Sequence, residues 1–103
     1  MTGYNKLVRD KIPEIIENQG KTCVTEILSQ EAYIQMLDEK LNEELAEYQE
    51  SKSLEELADL YEVLLALLPA RGWSMEELEQ VRQEKHEKRG GFHRRILLQE
   101  VSD

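Results

Sequence analysis

Apolar residues along the chain fall into helical stripes separated by polar breaks. Tyr33, Leu37, Leu41 and Tyr48 recur at spacings of four and seven, and Leu60, Val63 and Leu67 at three and four, the rhythm of one helix face. Ser29 stands ahead of the first stripe as a cap. Ser53-Leu-Glu-Glu56 and Ser74-Met-Glu-Glu77 each read as a capping box that opens a new helix. These signals predict helices over about 30–51, 54–70 and 75–88. Pro69 disturbs the last turn of the middle helix before Gly72, and Gly90-Gly91 stops the final one. Ahead of them, Asp10 reads as the N-cap of a short helix over 11–19, with Pro13 in its first turn and Gly20 beyond its end. Residues 4–9 and 21–28 lack a stripe, and Ile96-Leu97-Leu98 is a lone apolar run, so short extended segments are expected at 21–28 and 93–99. Only a residue or two near Lys52 joins the two long helices. So short a link predicts an antiparallel, adjacent pair in an all-α protein.

Two near-identical pentapeptides flank that link, Glu43-Glu44-Leu45-Ala46-Glu47 and Glu55-Glu56-Leu57-Ala58-Asp59. Each carries carboxylates at i and i+3, on one face a turn apart. Folded back about the link, Glu44 lies level with Asp59 and Glu47 level with Glu56. At about 100° per residue, Leu37, Leu41 and Tyr48 fall within about 60° of Glu44, and Leu60, Val63 and Leu67 within about 40° of Glu56. Both helices therefore carry acids into the stripe that faces the core. Buried carboxylates without partners are strongly disfavoured, and several together repel one another and take up protons. A hard divalent cation relieves both costs, because Mg²⁺ and Mn²⁺ accept carboxylate oxygens. No histidine or cysteine lies near, which disfavours zinc and a di-iron bundle of the Glu-x-x-His kind. The competing expectation is a solvated acidic face, the ordinary fate of a Glu-rich helix.

Composition narrows the setting. A chain of 103 residues with 40% hydrophobic and 34% charged residues reads as a single globular domain over 1–103. Its formal net charge of −9 repels nucleic-acid polymers over the surface as a whole. Neither a leader-like start nor an apolar run of membrane-spanning length is evident, so a cytoplasmic location away from membranes is expected. The one cysteine, Cys23, reads as a small hydrophobe. Trp73 and Phe92 read as packing residues, and His86 and His93 as surface residues.

The pattern Glu44-x-x-Glu47 followed by Glu56-x-x-Asp59 resembles the acidic signature of the MazG-type all-α NTP pyrophosphohydrolases. Lys6-Leu-Val-Arg-Asp-Lys-Ile-Pro13, Lys40-Leu-x-Glu-Glu44 and Lys88-Arg-Gly-Gly-Phe92 extend the likeness, nearest to the phosphoribosyl-ATP pyrophosphohydrolase-like branch. The resemblance implies a four-helix-bundle-like fold completed by a homodimer or higher homo-oligomer. It also implies Mg²⁺-dependent hydrolysis of a nucleoside triphosphate between its α and β phosphates. Glu44, Glu47, Glu56 and Asp59 would then be the metal ligands, and Glu43 the base for the attacking water. Only the eight residues 48–55 separate the two halves, fewer than in many members, so substrate choice does not carry over.

Eight of the thirteen Lys and Arg residues lie in two short segments around Lys6–Lys11 and Lys85–Arg95. Such clustering in an acidic protein suggests a phosphate cradle, for which Lys88 and Arg89 lead, followed by Lys6 and Arg9, with Lys40 beside the acids. Leu54, Tyr61, Leu65 and Leu68 form a second apolar side on the middle helix, which suits another copy of the chain. Clearance of noncanonical NTPs, phosphoribosyl-ATP hydrolysis, and a non-catalytic helical interaction or nucleotide-binding module all remain open at this stage.

Overall fold

The computed structural model describes residues 5–103. Four α-helices follow one another among them: α1 (Ile12–Asn18), α2 (Gln30–Ser51), α3 (Leu54–Ala70) and α4 (Met75–Arg89). No strand occurs among the described residues, so the class is all-α. The chain divides into two compact units, the first ending at Gly72 and the second being Trp73–Asp103. No helix among the described residues is long and apolar enough to cross a membrane.

The first unit is organised by the α2–α3 hairpin. Ser29 caps α2 by accepting the Ala32 amide at 3.2 Å, and Ser53 caps α3 by accepting the Glu56 amide at 3.3 Å. Between the helices, Lys52 takes the left-handed conformation (φ 55°) and closes α2 by donating its amide to the Tyr48 carbonyl at 2.7 Å. That conformation costs a non-glycine residue a little. The Lys52 ammonium lies 5.5 Å over the Tyr48 ring, a cation–π contact that offsets part of the cost. The far end of the hairpin is tied as well. Arg71 donates to Asp38 at 2.7 Å and Gln30 to the Ala70 carbonyl at 2.8 Å. Among the described residues, Leu37, Val63 and Leu68 are the buried apolar side chains. Leu68 belongs to the second apolar side of α3, whereas Leu54 and Tyr61 on that side are exposed.

Two local expectations fail for identifiable reasons. Asp10 does not cap α1: Lys11 holds the N-cap position with helical backbone angles and no side-chain bond. A cap at Asp10 would serve the amides of residues 12 and 13. The Ile12 amide is already donated to the Arg9 carbonyl at 3.1 Å, and Pro13 has no amide hydrogen. The extended segments expected at 21–28 and 93–99 pair with nothing. Val24 and Ile27 are 99% and 98% exposed, and a strand without a partner edge has no ladder to hold it. The second segment is broken by a turn, in which Arg95 (φ 57°) donates its amide to the Phe92 carbonyl at 3.1 Å. Tyr4, the first residue of the 4–9 segment, lies outside the described residues.

In the second unit, α4 opens on a complete capping box. The Ser74 hydroxyl accepts the Glu77 amide at 3.1 Å, and the Glu77 carboxylate accepts the Ser74 amide at 3.3 Å. Arg82 donates in a fork to Glu79 one turn earlier, which holds the Glu79 carboxyl below its ordinary range. Gly90 (φ 79°) ends the helix, its amide going to the His86 carbonyl at 2.7 Å.

Candidate metal centre

The hairpin brings Glu44 of α2 together with Glu56 and Asp59 of α3. One carboxylate oxygen from each lies within 4.8 Å of the other two. Octahedral ligands at the Mg²⁺–oxygen distance sit about 2.9 Å apart as neighbours and about 4.2 Å apart as opposites. Three carboxylate oxygens within 4.8 Å of one another can be drawn onto one ion by ordinary side-chain adjustment.

Burial distinguishes Glu44 from the acids of a solvated face. Glu44 is 7% exposed, the one buried charged residue among those described. Its carboxyl is raised above the ordinary value, first by burial and then by the charge of Glu47; Lys40 opposes both. More telling is Glu56, whose Oε2 is buried with no hydrogen-bond partner. An orphaned buried carboxylate oxygen costs at least about 1–3 kcal/mol.

The reason Glu56 points inward lies in its helix cap. The Ser-x-x-Glu sequence predicts that Glu56 returns a bond to the Ser53 amide, as Glu77 does to Ser74. Here the Ser53 amide goes to the Ser51 hydroxyl at 3.2 Å instead. Ser51 does the work of the second half of the box, and the Glu56 carboxylate is left to face α2.

Cations already attend the cluster. Arg9 Nη2 lies 2.7 Å from Asp59 Oδ1, and Lys40 Nζ lies 3.3 Å from Glu44 Oε1 and 3.8 Å from Glu43 Oε2. Lys6, Arg9, Lys40, Glu44 and Asp59 all line one open groove of about 550 Å³. Its wall on α3 continues through Glu62, one turn beyond Asp59, which repeats the three-residue spacing of Glu56 and Asp59. A second, equally open and mostly apolar hollow of about 670 Å³ shares residues 6–10 and Tyr33 with this groove and extends past Met36 to Ile27 and Leu28.

The expected site residues thus separate into groups. Glu44, Glu56 and Asp59 converge. Glu47 is exposed and adjoins Glu44 closely enough to raise its carboxyl, without entering the three-oxygen cluster. Glu43 is exposed and faces Lys40. Lys88 and Arg89 stand exposed in the last turn of α4, in the second unit. Two acids in the groove had no such role in the sequence reading. Asp10, read as a helix cap, lines it, and so does Glu62, for which the i+3 spacing after Asp59 was the available signal.

Comparison with known proteins adds one relative. A protein of Mycolicibacterium smegmatis, described as uncharacterized, is 52% identical over 42 residues, which is 41% of this chain. The match spans 43% of that protein's length. No family model and no solved structure matches the chain.

Proposed function

We propose that the protein is a Mg²⁺-dependent nucleoside triphosphate pyrophosphohydrolase with a MazG-like helical fold, assembled as a homodimer or higher homo-oligomer. The observation that carries this reading is the convergence of Glu44, Glu56 and Asp59 with Glu56 Oε2 buried and unpartnered. An all-oxygen donor set of this kind fits Mg²⁺, with Mn²⁺ as a substitute, better than zinc. Four residues in two mirrored Glu-x-x-acid turns also match the acidic signature of the resemblance.

The bound cation would supply charge neutralisation at the phosphates and a water of lowered pKa. Glu44, Glu56 and Asp59 would hold it, with Glu47 alongside. Glu43, exposed next to the cluster, accepts a proton from the water that attacks the α-phosphorus. The bond from that phosphorus to the bridging oxygen breaks, and a nucleoside monophosphate and pyrophosphate leave. Lys6, Arg9 and Lys40 face the groove from which a polyphosphate would approach, and Arg9 can engage phosphate oxygens in a bidentate manner. The adjoining apolar cavity offers room for the nucleoside, with Tyr33 at the junction. Clearance of noncanonical NTPs and phosphoribosyl-ATP hydrolysis are the two roles to test within this reading.

One observation favours a non-catalytic reading. Arg9 and Lys40 already pair with two of the three carboxylates, as they would in a helical module that binds nucleotide without turnover. The deciding experiment measures pyrophosphate release from a panel of standard and modified NTPs and from phosphoribosyl-ATP with Mg²⁺. Release by the parent and none by Glu44→Gln supports the hydrolase. Absence of release from every substrate, with no stabilisation by Mg²⁺, overturns it.

A further inference from the structure

The N-terminal segment of the first unit contributes one side chain whose position is informative beyond the reaction itself. Arg9 lies outside the helices, 50 residues from Asp59 in sequence, yet its guanidinium sits 2.7 Å from an oxygen of the acidic cluster. We infer that Arg9 is an exchangeable counter-ion: it occupies Asp59 until a divalent cation arrives, and the released guanidinium then becomes a contact for the polyphosphate, so that cation binds before substrate. This inference rests on the reading of Glu44, Glu56 and Asp59 as a cation site.

Three features support the exchange. First, Arg9 and the cation would compete for one carboxylate, since Asp59 belongs to the converging three. Second, the pair is weak enough to yield. Its side chains are 56% and 44% exposed, and pairs so open to water contribute little. Third, Arg9 has somewhere to go, because it lines both the groove and the apolar cavity beside it. Lys40 also pairs with one of the three carboxylates, but it is held differently. It is carried by α2 one turn from Glu44, is 24% exposed, and keeps Glu43 as a neighbour if Glu44 is withdrawn. Lys40 therefore stays beside the cluster while Arg9 exchanges.

The exchange has an unusual signature, because removing Arg9 acts in opposite directions on the two ligands. A side chain that merely braced the fold would weaken both. In Arg9→Gln, Mg²⁺ alone should bind about two- to fivefold more tightly by calorimetry, the range expected for loss of an exposed ion pair. Inorganic tripolyphosphate added to the Mg²⁺-loaded protein should bind at least about tenfold more weakly, as for loss of a charge-assisted bidentate contact. In the parent, the Arg9 Nη–H protons, one of which is donated to Asp59, should exchange faster with water once Mg²⁺ is added without phosphate. Arg9→Lys, which retains charge but not the fork, should recover part of the tripolyphosphate affinity. Unchanged or weaker Mg²⁺ binding by a helical, folded Arg9→Gln overturns this inference alone. Failure of the parent to bind Mg²⁺ overturns the site reading and this inference with it.

Discussion

Ser53 donates its amide to Ser51 rather than to Glu56, although Ser53-Leu-Glu-Glu56 has the same form as the Ser74-Met-Glu-Glu77 box that closes completely. One carboxylate is spent on its own helix end and the other is freed for the hairpin interior. Ser51→Ala should let the Glu56 carboxylate swing back to the Ser53 amide. Stability should then change by no more than about 1 kcal/mol, the scale of a cap bond. Mg²⁺ affinity should fall several-fold, read by calorimetric titration. Unaltered affinity would mean that Ser51 does not govern where Glu56 points.

Cation binding to the folded protein alone must stabilise it. At a Mg²⁺ concentration of about one hundred times Kd the gain is about 2.7 kcal/mol. For a chain of this size that corresponds to a rise in Tm of roughly 10–20 °C. Differential scanning calorimetry with Mg²⁺ or Mn²⁺ against EDTA should record it for the parent. Glu56→Gln and Asp59→Asn should lose most of the shift.

Glu44 ties stability to pH in the metal-free protein. Its carboxyl is raised above the ordinary 4.5, chiefly by burial, so the folded state holds the proton more tightly than the unfolded chain does. The stabilising contribution is complete below 4.5 and is lost as pH rises through the folded-state value. At neutral pH a buried charge therefore remains as a penalty. In EDTA, Glu44→Gln should melt above the parent at pH 7, and the gap should narrow as pH falls towards 4.5. Lys40 keeps a neighbour in Glu43 at 3.8 Å, so the substitution does not isolate it. A lower Tm for the variant at pH 7 would show that the Lys40 pair outweighs the burial cost.

Glu43 is separable from the cluster it adjoins. It is exposed and outside the three converging oxygens, so Glu43→Gln should preserve the Mg²⁺-dependent rise in Tm. Pyrophosphate release should fall by about 10²–10⁴-fold, the usual worth of a general base. Equal loss of both properties would place Glu43 among the ligands.

Leu37, 3% exposed, is the most buried of the few buried apolar side chains among the described residues. Leu37→Ala should cost about 2–5 kcal/mol, against a total of about 5–15 kcal/mol for an ordinary domain. Urea titration followed by circular dichroism measures it. A loss below 1 kcal/mol would show that the hairpin collapses onto the cavity.

The helices themselves were legible because their signals are local. Ser29, Ser53 and Ser74 each cap an amide within three residues, and the short link at Lys52 leaves only an antiparallel hairpin. From that register the meeting of Glu44 with Asp59 follows by helix geometry; the same register sets Glu47 level with Glu56, yet it is Glu44 that joins Glu56 in the cluster. What the chain order could not convey was competition for partners. Asp10 looks like a cap until the Arg9 carbonyl takes the Ile12 amide, and Glu56 looks like half a capping box until Ser51 takes the Ser53 amide. Glu47 repeats the spacing of Asp59 but remains exposed beside Glu44, since similar pentapeptides on opposite helices need not turn the same residues inward. The pairing of Arg9 with Asp59 spans 50 positions and has no periodicity to announce it. Periodicity specifies which way a side chain leaves its own helix; which group it meets depends on every other segment that reaches the same place, and that only the tertiary structure decides.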